Sequence, residues 1–141
     1  MDEKLIEKIK SLKSEIIDLN TEISKKEVEI NKIWVENEAD FEGSYVEFFN
    51  GDDYIYMRVE KQTIWKFGCA LHLEGPAITL DDSPLEDFEN ISFASYNESD
   101  VLFVDADVLK GIKDERIRKI NKKDMKFVVD AYCRTIKDNF I

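Results

Sequence analysis

The sequence has few of the residues on which disulfide-rich, membrane and secreted proteins depend. Its 141 residues include two cysteines, two prolines, five glycines and one histidine. Cys69 and Cys133 are too few and too far apart for a disulfide scaffold, and both lie among apolar neighbours, so we expect buried free thiols. No apolar run approaches the roughly 18 residues of a membrane span, and charges scattered through M-D-E-K-L-I-E-K-I-K exclude a secretory signal. The sequence therefore predicts a cytoplasmic protein with no membrane segment.

The shortage of histidine also limits catalysis and metal binding. His72 follows Cys69 with C-x-x-H spacing, but no second pair in the sequence completes a tetrahedral zinc site. A Ser-His-Asp or Cys-His arrangement would have to use His72, and Cys69 should lie on the opposite face of the same strand. Neither G-x-G-x-x-G nor G-x-x-x-x-G-K-[ST] occurs, so no local phosphate-binding loop is predicted. We expect a protein that is not an enzyme and that holds no metal or cofactor.

Basic residues are scarce in the middle of the chain. Residues 36–107 contain eighteen acids and only three bases, whereas residues 108–141 contain ten bases and five acids. An acidic segment of this kind repels phosphate, so a nucleic acid is not the expected partner. It suits a basic protein surface instead, including one that normally holds DNA or RNA. The acids predicted to bind such a partner lie in the loop D-D-S-P-L-E-D-F-E and are Asp81, Asp82, Glu86, Asp87 and Glu89.

The chain is rich in one pattern, a heptad repeat over residues 5–33. Apolar residues recur there in alternating steps of four and three, with Lys26 as the one polar residue in the series. A stripe this narrow needs another helix against it, so residues 1–36 are predicted to form a coiled-coil helix that makes a dimer or a higher oligomer. The predicted oligomerisation residues are Leu5, Ile9, Leu12, Ile16, Leu19, Ile23, Ile30 and Ile33.

The orientation of this coiled coil is left open by the sequence. In the heptad, position a holds residues 9, 16, 23 and 30, and position d holds residues 5, 12, 19, 26 and 33. Isoleucine at position a with leucine at position d is typical of a parallel dimer. In a parallel pair, however, Lys8 meets Lys13 and Glu22 meets Glu27, and both contacts are repulsive. Reversing one helix brings Lys8 near Glu29 and Lys13 near Glu27, which is attractive. The charges slightly favour an antiparallel association with the two domains roughly 40 Å apart, and a parallel dimer is the alternative.

Beyond Gly43 the apolar period changes from 3.5 to 2, which is typical of β-strands. Asn50-Gly51 predicts a hairpin turn, Gly75-Pro76 a break, and Asn121 the cap of a C-terminal helix. The fold class is therefore α+β, with the coiled-coil helix followed, in residues 44–141, by a small antiparallel sheet or barrel closed by a helix. The predicted strands cover residues 45–49, 54–61, 63–73, 77–80, 91–96 and 101–104, and a short helix or turn covers residues 108–112.

A binding site for a small ligand or nucleotide is the alternative function. Two tyrosines and an arginine share one face of the predicted strand 54–61 and could stack on a base or a peptide, although the tyrosines fit a core slightly better. Eight bases within residues 110–126 could hold phosphate, and a solvated helix face is the competing interpretation of that run. The candidate ligand-binding residues are Tyr54, Tyr56, Arg58, Arg116 and Arg118.

Two local sequences, the loop D-D-S-P-L-E-D-F-E and the hairpin N-G-D-D-Y-I-Y-M-R-V, carry a resemblance to known proteins. With its small size and its lack of catalytic residues, the chain resembles the short, acidic, Lys/Asn/Ile-rich proteins of bacteriophages and mobile elements, including anti-CRISPR and other counter-defence inhibitors. The likeness is one of general character, and no family residue maps onto a position of this sequence. It implies an inhibitor that occupies a surface of a host protein by charge and shape.

Overall fold

The fold consists of a long helix, a curled antiparallel sheet and a second helix, so the predicted α+β class is confirmed. The computed structural model describes residues 1–36, 40–65, 70–86, 90–105 and 114–140. Helix α1 spans Glu3–Glu36 and helix α2 spans Lys122–Phe140. The strands are β1 (Tyr45–Phe49), β2 (Tyr54–Arg58), β3 (Lys61–Trp65), β4 (Ala70–Leu80), β5 (Ala94–Asp105) and β6 (Ile117–Ile120).

The sheet is organised around β4, to which three other strands pair. On one edge β4 pairs with β5 along its whole length, and on the other it pairs first with β3 and then with β2. The order continues from β2 to β1 and β6, and every pair is antiparallel. Arg116 Nη2 lies 3.2 Å from Asp105 Oδ2 at the end of β5. The two ends of the sheet therefore curl toward each other, and the sheet forms a half-barrel.

Strand alternation gives the sheet two apolar faces. The concave face is filled by side chains of the sheet itself, and its fully buried members are Val46, Met57, Val59, Leu71, Leu73 and Val104. The opposite face is covered in part by α2, whose Val128 and Ala131 pack against Tyr56, Ile78, Leu80, Ala94 and Ile120. Because successive strand residues point to opposite faces, the same short strands supply both clusters.

Helix α1 meets the sheet at β3. Asp2 caps its first turn, since Asp2 Oδ1 accepts the backbone N–H of Lys4 at 2.8 Å. Near the other end, Asn31 Oδ1 accepts from Gln62 Nε2 at 3.2 Å, and Trp34 is buried. These two contacts attach the end of α1 to the domain, while its first turns extend away from it.

Two predicted strand boundaries around β4 are wrong. The predicted strand 63–73 is instead parts of two strands, because β3 ends at Trp65 and pairs antiparallel with the start of β4. Gly75-Pro76 does not end a strand, because β4 runs through it. Between Gly75 and Ala77 the partner on β5 changes from Asp100 to Asn97, so β5 carries an extra residue there. A bulge is a place where a proline, which has no N–H to donate, is tolerated in a sheet.

Five further points of local structure differ from the sequence prediction or fall outside the described residues. The predicted strands 91–96 and 101–104 are not separate, since β5 is continuous from Ala94 to Asp105. Strand β6 was not predicted, because I-R-K-I was assigned to a basic helical run. Cys133 is exposed and not buried. Cys69 and the predicted turn or helix at residues 108–112 lie outside the described residues.

The predicted cap of α2 is confirmed and gives a stability prediction. Asn121 Oδ1 accepts the backbone N–H of Asp124 at 2.8 Å. We expect Asn121→Ala to lower the free energy of unfolding by about 1 kcal/mol, because one helix-terminal N–H loses its acceptor. Urea unfolding followed by circular dichroism measures the change. Asn121→Asp, which keeps the acceptor, should retain most of the stability, and equal losses for the two variants would contradict the capping role.

Candidate interaction surfaces

The free part of α1 carries a continuous apolar stripe. Five of the predicted oligomerisation residues are between 42% and 58% exposed, and these are Leu5, Ile9, Leu12, Ile16 and Leu19. Ile6 and Ile17, which the heptad pattern does not include, widen the stripe because they are also exposed. A contiguous exposed apolar surface of this kind marks an interaction site.

The stripe does not keep the same exposure along all of α1. Ile23 and Ile30 are partly buried and Trp34 is only 8% exposed, whereas Ile33 at position d remains exposed. Positions 23, 27, 30 and 34 lie on one helix face, the one that faces the domain near β3. The domain therefore occupies the end of the predicted seam near Ile30 and Trp34, and the stripe is fully exposed from Leu5 to Leu19.

The acidic loop after β4 uses its first two carboxylates to hold its own backbone. Asp81 Oδ1 accepts the N–H groups of Ser92 and Phe93 at 2.9 and 3.0 Å. Asp82 Oδ2 accepts the N–H of Asn90 at 2.7 Å. Burial raises the pKa of Asp81, but the hydrogen bonds from Ser92 and Phe93 outweigh it and leave that pKa below its ordinary value. Both carboxylates stabilise the loop, which limits what they can offer to a partner.

The structure describes only one of the other three acids predicted to bind a partner. Glu86 is exposed, and no hydrogen bond or ion pair engages its carboxylate within the described part of the chain. Asp87 and Glu89 lie outside the described residues. Of the three loop acids that the structure describes, Glu86 is the one whose side chain is exposed to solvent.

A buried polar network ties this loop to the sheet. The hydroxyl of Tyr56 donates to Glu47 Oε2 at 2.7 Å and lies 2.9 Å from Ser83 Oγ. Ser83 Oγ also donates to Glu47 Oε2 at 3.2 Å, and Arg118 Nε donates to Glu47 Oε1 at 2.7 Å. Glu47 is nearly buried, and Tyr56 and Ser83 are fully buried. The sequence gives no sign of this network, because its members come from β1, β2, the loop and β6.

The predicted ligand-binding residues do not converge on one open site. Tyr56 is buried, and Tyr54 packs on the ring of Phe49 with centroids 4.8 Å apart. The three arginines each face a different carboxylate within hydrogen-bond distance, and these are Arg58 with Glu60, Arg116 with Asp114, and Arg118 with Glu47. The arrangement favours the interpretation of the tyrosines as core residues.

Burial of Tyr56 predicts a loss of stability at alkaline pH. Burial, together with the nearby Glu47 carboxylate, raises the pKa of Tyr56 far above its ordinary value, although the hydrogen bond with Ser83 lowers it. In the unfolded chain this hydroxyl ionises near pH 10, so the folded state binds more protons above that pH. The contribution of Tyr56 to the free energy of unfolding is therefore fully present below about pH 10 and decreases as the pH rises beyond it. Urea unfolding at pH 8–11 should show a smaller alkaline loss for Tyr56→Phe than for the unmodified chain, and equal losses would contradict this assignment.

An exposed aromatic cluster lies on the part of the sheet that α2 leaves open. The rings of Trp65 and Phe103 have centroids 4.8 Å apart, and His72 stacks on Phe103 at 5.2 Å. Trp65 and Phe103 are 40% and 45% exposed. The cluster depends on the cross-strand pairing of His72 with Phe103, which could not be found without the β4–β5 register.

No family model, curated protein or solved structure matches this chain. Within the described residues, no group of three or more histidine, cysteine or acidic side chains is placed to hold a metal ion. Neither of the two described helices is long and apolar enough to cross a membrane. The candidate function therefore rests on the surfaces themselves.

Proposed function

We propose that this protein is a non-enzymatic interaction protein that self-associates through α1 and binds a basic surface of another protein through its acidic domain. The observation that carries the proposal is the open stripe from Leu5 to Leu19. Residues 1–22 are all exposed, so no described part of the domain covers this stretch of the helix. Most helix stability in proteins comes from packing of an apolar face and not from intrinsic helix propensity. A second helix supplies that packing.

The charge distribution supports the second part of the proposal. Residues 36–107 have eighteen acids and three bases, and exposed carboxylates include Glu42, Asp52, Glu86 and Glu98. Such a surface accelerates encounter with a basic partner and disfavours acidic ones. A phage-type inhibitor, similar in action to anti-CRISPR proteins, would use it to occupy a nucleic-acid-binding surface of a host protein.

Sedimentation equilibrium tests self-association directly. The chain has a mass of 16.5 kDa. At micromolar concentrations we expect the fitted mass to be at least twice this value and to decrease on dilution. A mass equal to that of one chain at every concentration would contradict the proposal.

The partner-binding part is tested by affinity capture from a bacterial host followed by binding measurements with the purified partner. We expect a basic protein whose binding weakens strongly between about 0.05 and 0.5 M salt, because exposed charges are screened. A nucleic acid that binds the same protein should compete with the chain. Glu86→Lys should weaken binding more than Glu3→Lys on the remote end of α1. Salt-independent binding, or equal effects of the two variants, would contradict the electrostatic role of the domain.

A further inference from the structure

We infer that α1 pairs antiparallel with α1 of a second copy over residues 5–23. This inference rests on the proposed self-association and specifies its geometry. It follows from the position of the domain on the helix, from the register of the apolar residues and from the flanking charges. The layers it forms are Leu5 with Ile23, Ile9 with Leu19, and Leu12 with Ile16, each occurring twice by symmetry.

The domain restricts which helix direction fits. It packs against the last turns of α1, where Asn31 bonds to Gln62 of β3, Trp34 is buried and the position a residue Ile30 is partly buried. In a parallel pair that continues along the heptad, Ile30 would have to face its counterpart, while two acidic domains lie side by side at the same end. An antiparallel partner avoids this conflict, because its N-terminus reaches the level of Glu27 and extends no further.

The apolar residues select one antiparallel register. A coiled coil of opposed helices places position a of one helix against position d of the other. In the proposed register every layer joins an isoleucine to a leucine. Sliding the helices by one heptad toward longer overlap would place Lys26 opposite Ile9 and use Ile30, which is partly buried by its own domain. Sliding them the other way would leave Ile23 without a partner.

The flanking charges agree with this choice. In a parallel pair, Lys8 faces Lys13 and Glu22 faces Glu27, which makes four like-charge contacts and no opposite-charge contact between charged flanking residues. In the antiparallel register Lys8 faces Glu22 twice, while Glu15 and Lys13 each face their own counterparts once. Opposite charges across the seam set partner orientation in coiled coils. The charges therefore oppose the parallel preference that isoleucine at position a carries.

The proposed arrangement sets the spacing of the two domains. Each domain is attached to α1 near Asn31. With about 1.5 Å of rise per residue, the two attachment points lie about 50 Å apart at opposite ends of the paired helices. The dimer then presents two separated acidic domains, which suits bivalent binding to two sites on one partner or on two partners.

Cysteine cross-linking distinguishes the two directions. With Cys69→Ser and Cys133→Ser as background, Ile9→Cys and Leu19→Cys variants are oxidised separately and as a mixture. Antiparallel pairing predicts disulfide-linked dimers in the mixture and almost none in either variant alone. Parallel pairing predicts the opposite, with linked dimers in each variant alone, and that result would overturn the inference.

A second measurement avoids substitutions in the seam. Ser24 is exposed and lies outside positions a and d. A spin label on Ser24→Cys, in the same background, should report a distance between the two copies of about 30 Å or more in the antiparallel register, since twenty residues of helix separate them. A distance below about 20 Å would overturn the register. A monomer by sedimentation would refute the proposed self-association, whereas a dimer with parallel cross-links would refute this inference alone.

Discussion

Replacing Gly75 with alanine is expected to lower the free energy of unfolding by about 3 kcal/mol or more. A Cβ at this position would overlap the backbone carbonyl oxygen of Arg58 and lie 3.2 Å from the backbone nitrogen of Glu60. Neither contact is with a flexible side chain, so relief requires the strands themselves to move apart. Urea unfolding of the two proteins measures the difference.

The reason for this close approach is the change of partners along β4. At Gly75 the strand passes from pairing with β3 to pairing with β2, and Glu60 N–H donates to Glu74 O at 2.8 Å beside it. The matched control is Gly43→Ala, where φ is +79° but no atom of the described residues, other than its chain neighbours, lies within 4 Å of the added Cβ. Only left-handed backbone strain opposes that change, and it should cost about 1–2 kcal/mol. A smaller loss for Gly75→Ala than for Gly43→Ala would contradict the packing argument.

Replacing Glu47 with alanine should cost about 2–3 kcal/mol. The change removes the acceptor that Tyr56, Ser83 and Arg118 share, and it leaves two buried hydroxyls with fewer partners. Because Arg118 is itself more than half exposed, its guanidinium can return to water, which keeps the cost below that of breaking a fully buried pair. Differential scanning calorimetry and urea unfolding both measure the effect.

Two controls separate the network from a general loss of charge. Glu86→Ala removes an exposed carboxylate of the loop and should change stability by less than about 0.5 kcal/mol. Glu47→Gln keeps a hydrogen-bond acceptor and should cost less than Glu47→Ala. Similar stabilities for Glu47→Ala and Glu86→Ala would show that the buried network does not hold the loop on the sheet.

The parts of the fold that could be predicted from the sequence are those set by local interactions. The limits of α1 follow from its apolar period and from Asp2, and the Asn50-Gly51 turn between β1 and β2 was predicted correctly. The cap of α2 by Asn121 is also local. Each of these depends on side chains within a few residues of one another, so the sequence contains the information.

The errors in the sheet have a different origin. Pro76 is tolerated within β4 because the bulge in β5 removes the need for a regular pair there, and the bulge is a property of two strands together. The reversal of chain direction between β3 and β4 depends on pairing between strands. So does the formation of β6, which pairs with β1 about 70 residues earlier in the chain. Periodicity within one segment does not report which segment lies beside it.

The candidate surfaces likewise combine features set by local sequence with features that depend on contacts between distant segments. The stripe on α1 was predicted because a heptad is a local pattern, but the burial of Trp34 near its end depends on the contact between α1 and β3. The acidic loop is visible in the sequence as a concentration of charge. The sequence could not show that Asp81 bonds to Ser92 and Phe93, because those residues return to it only when β4 and β5 pair.

The most direct test of the central claim, that the open stripe of α1 mediates self-association, compares two glutamate variants by sedimentation equilibrium. Ile16 and Val28 are both apolar residues of α1 and are 56% and 69% exposed, but only Ile16 lies in the stripe. We predict that Ile16→Glu reduces the fitted mass to that of one 16.5 kDa chain, while Val28→Glu keeps the mass of the unmodified oligomer. An oligomer that survives Ile16→Glu unchanged, or that is lost equally in both variants, would contradict the account.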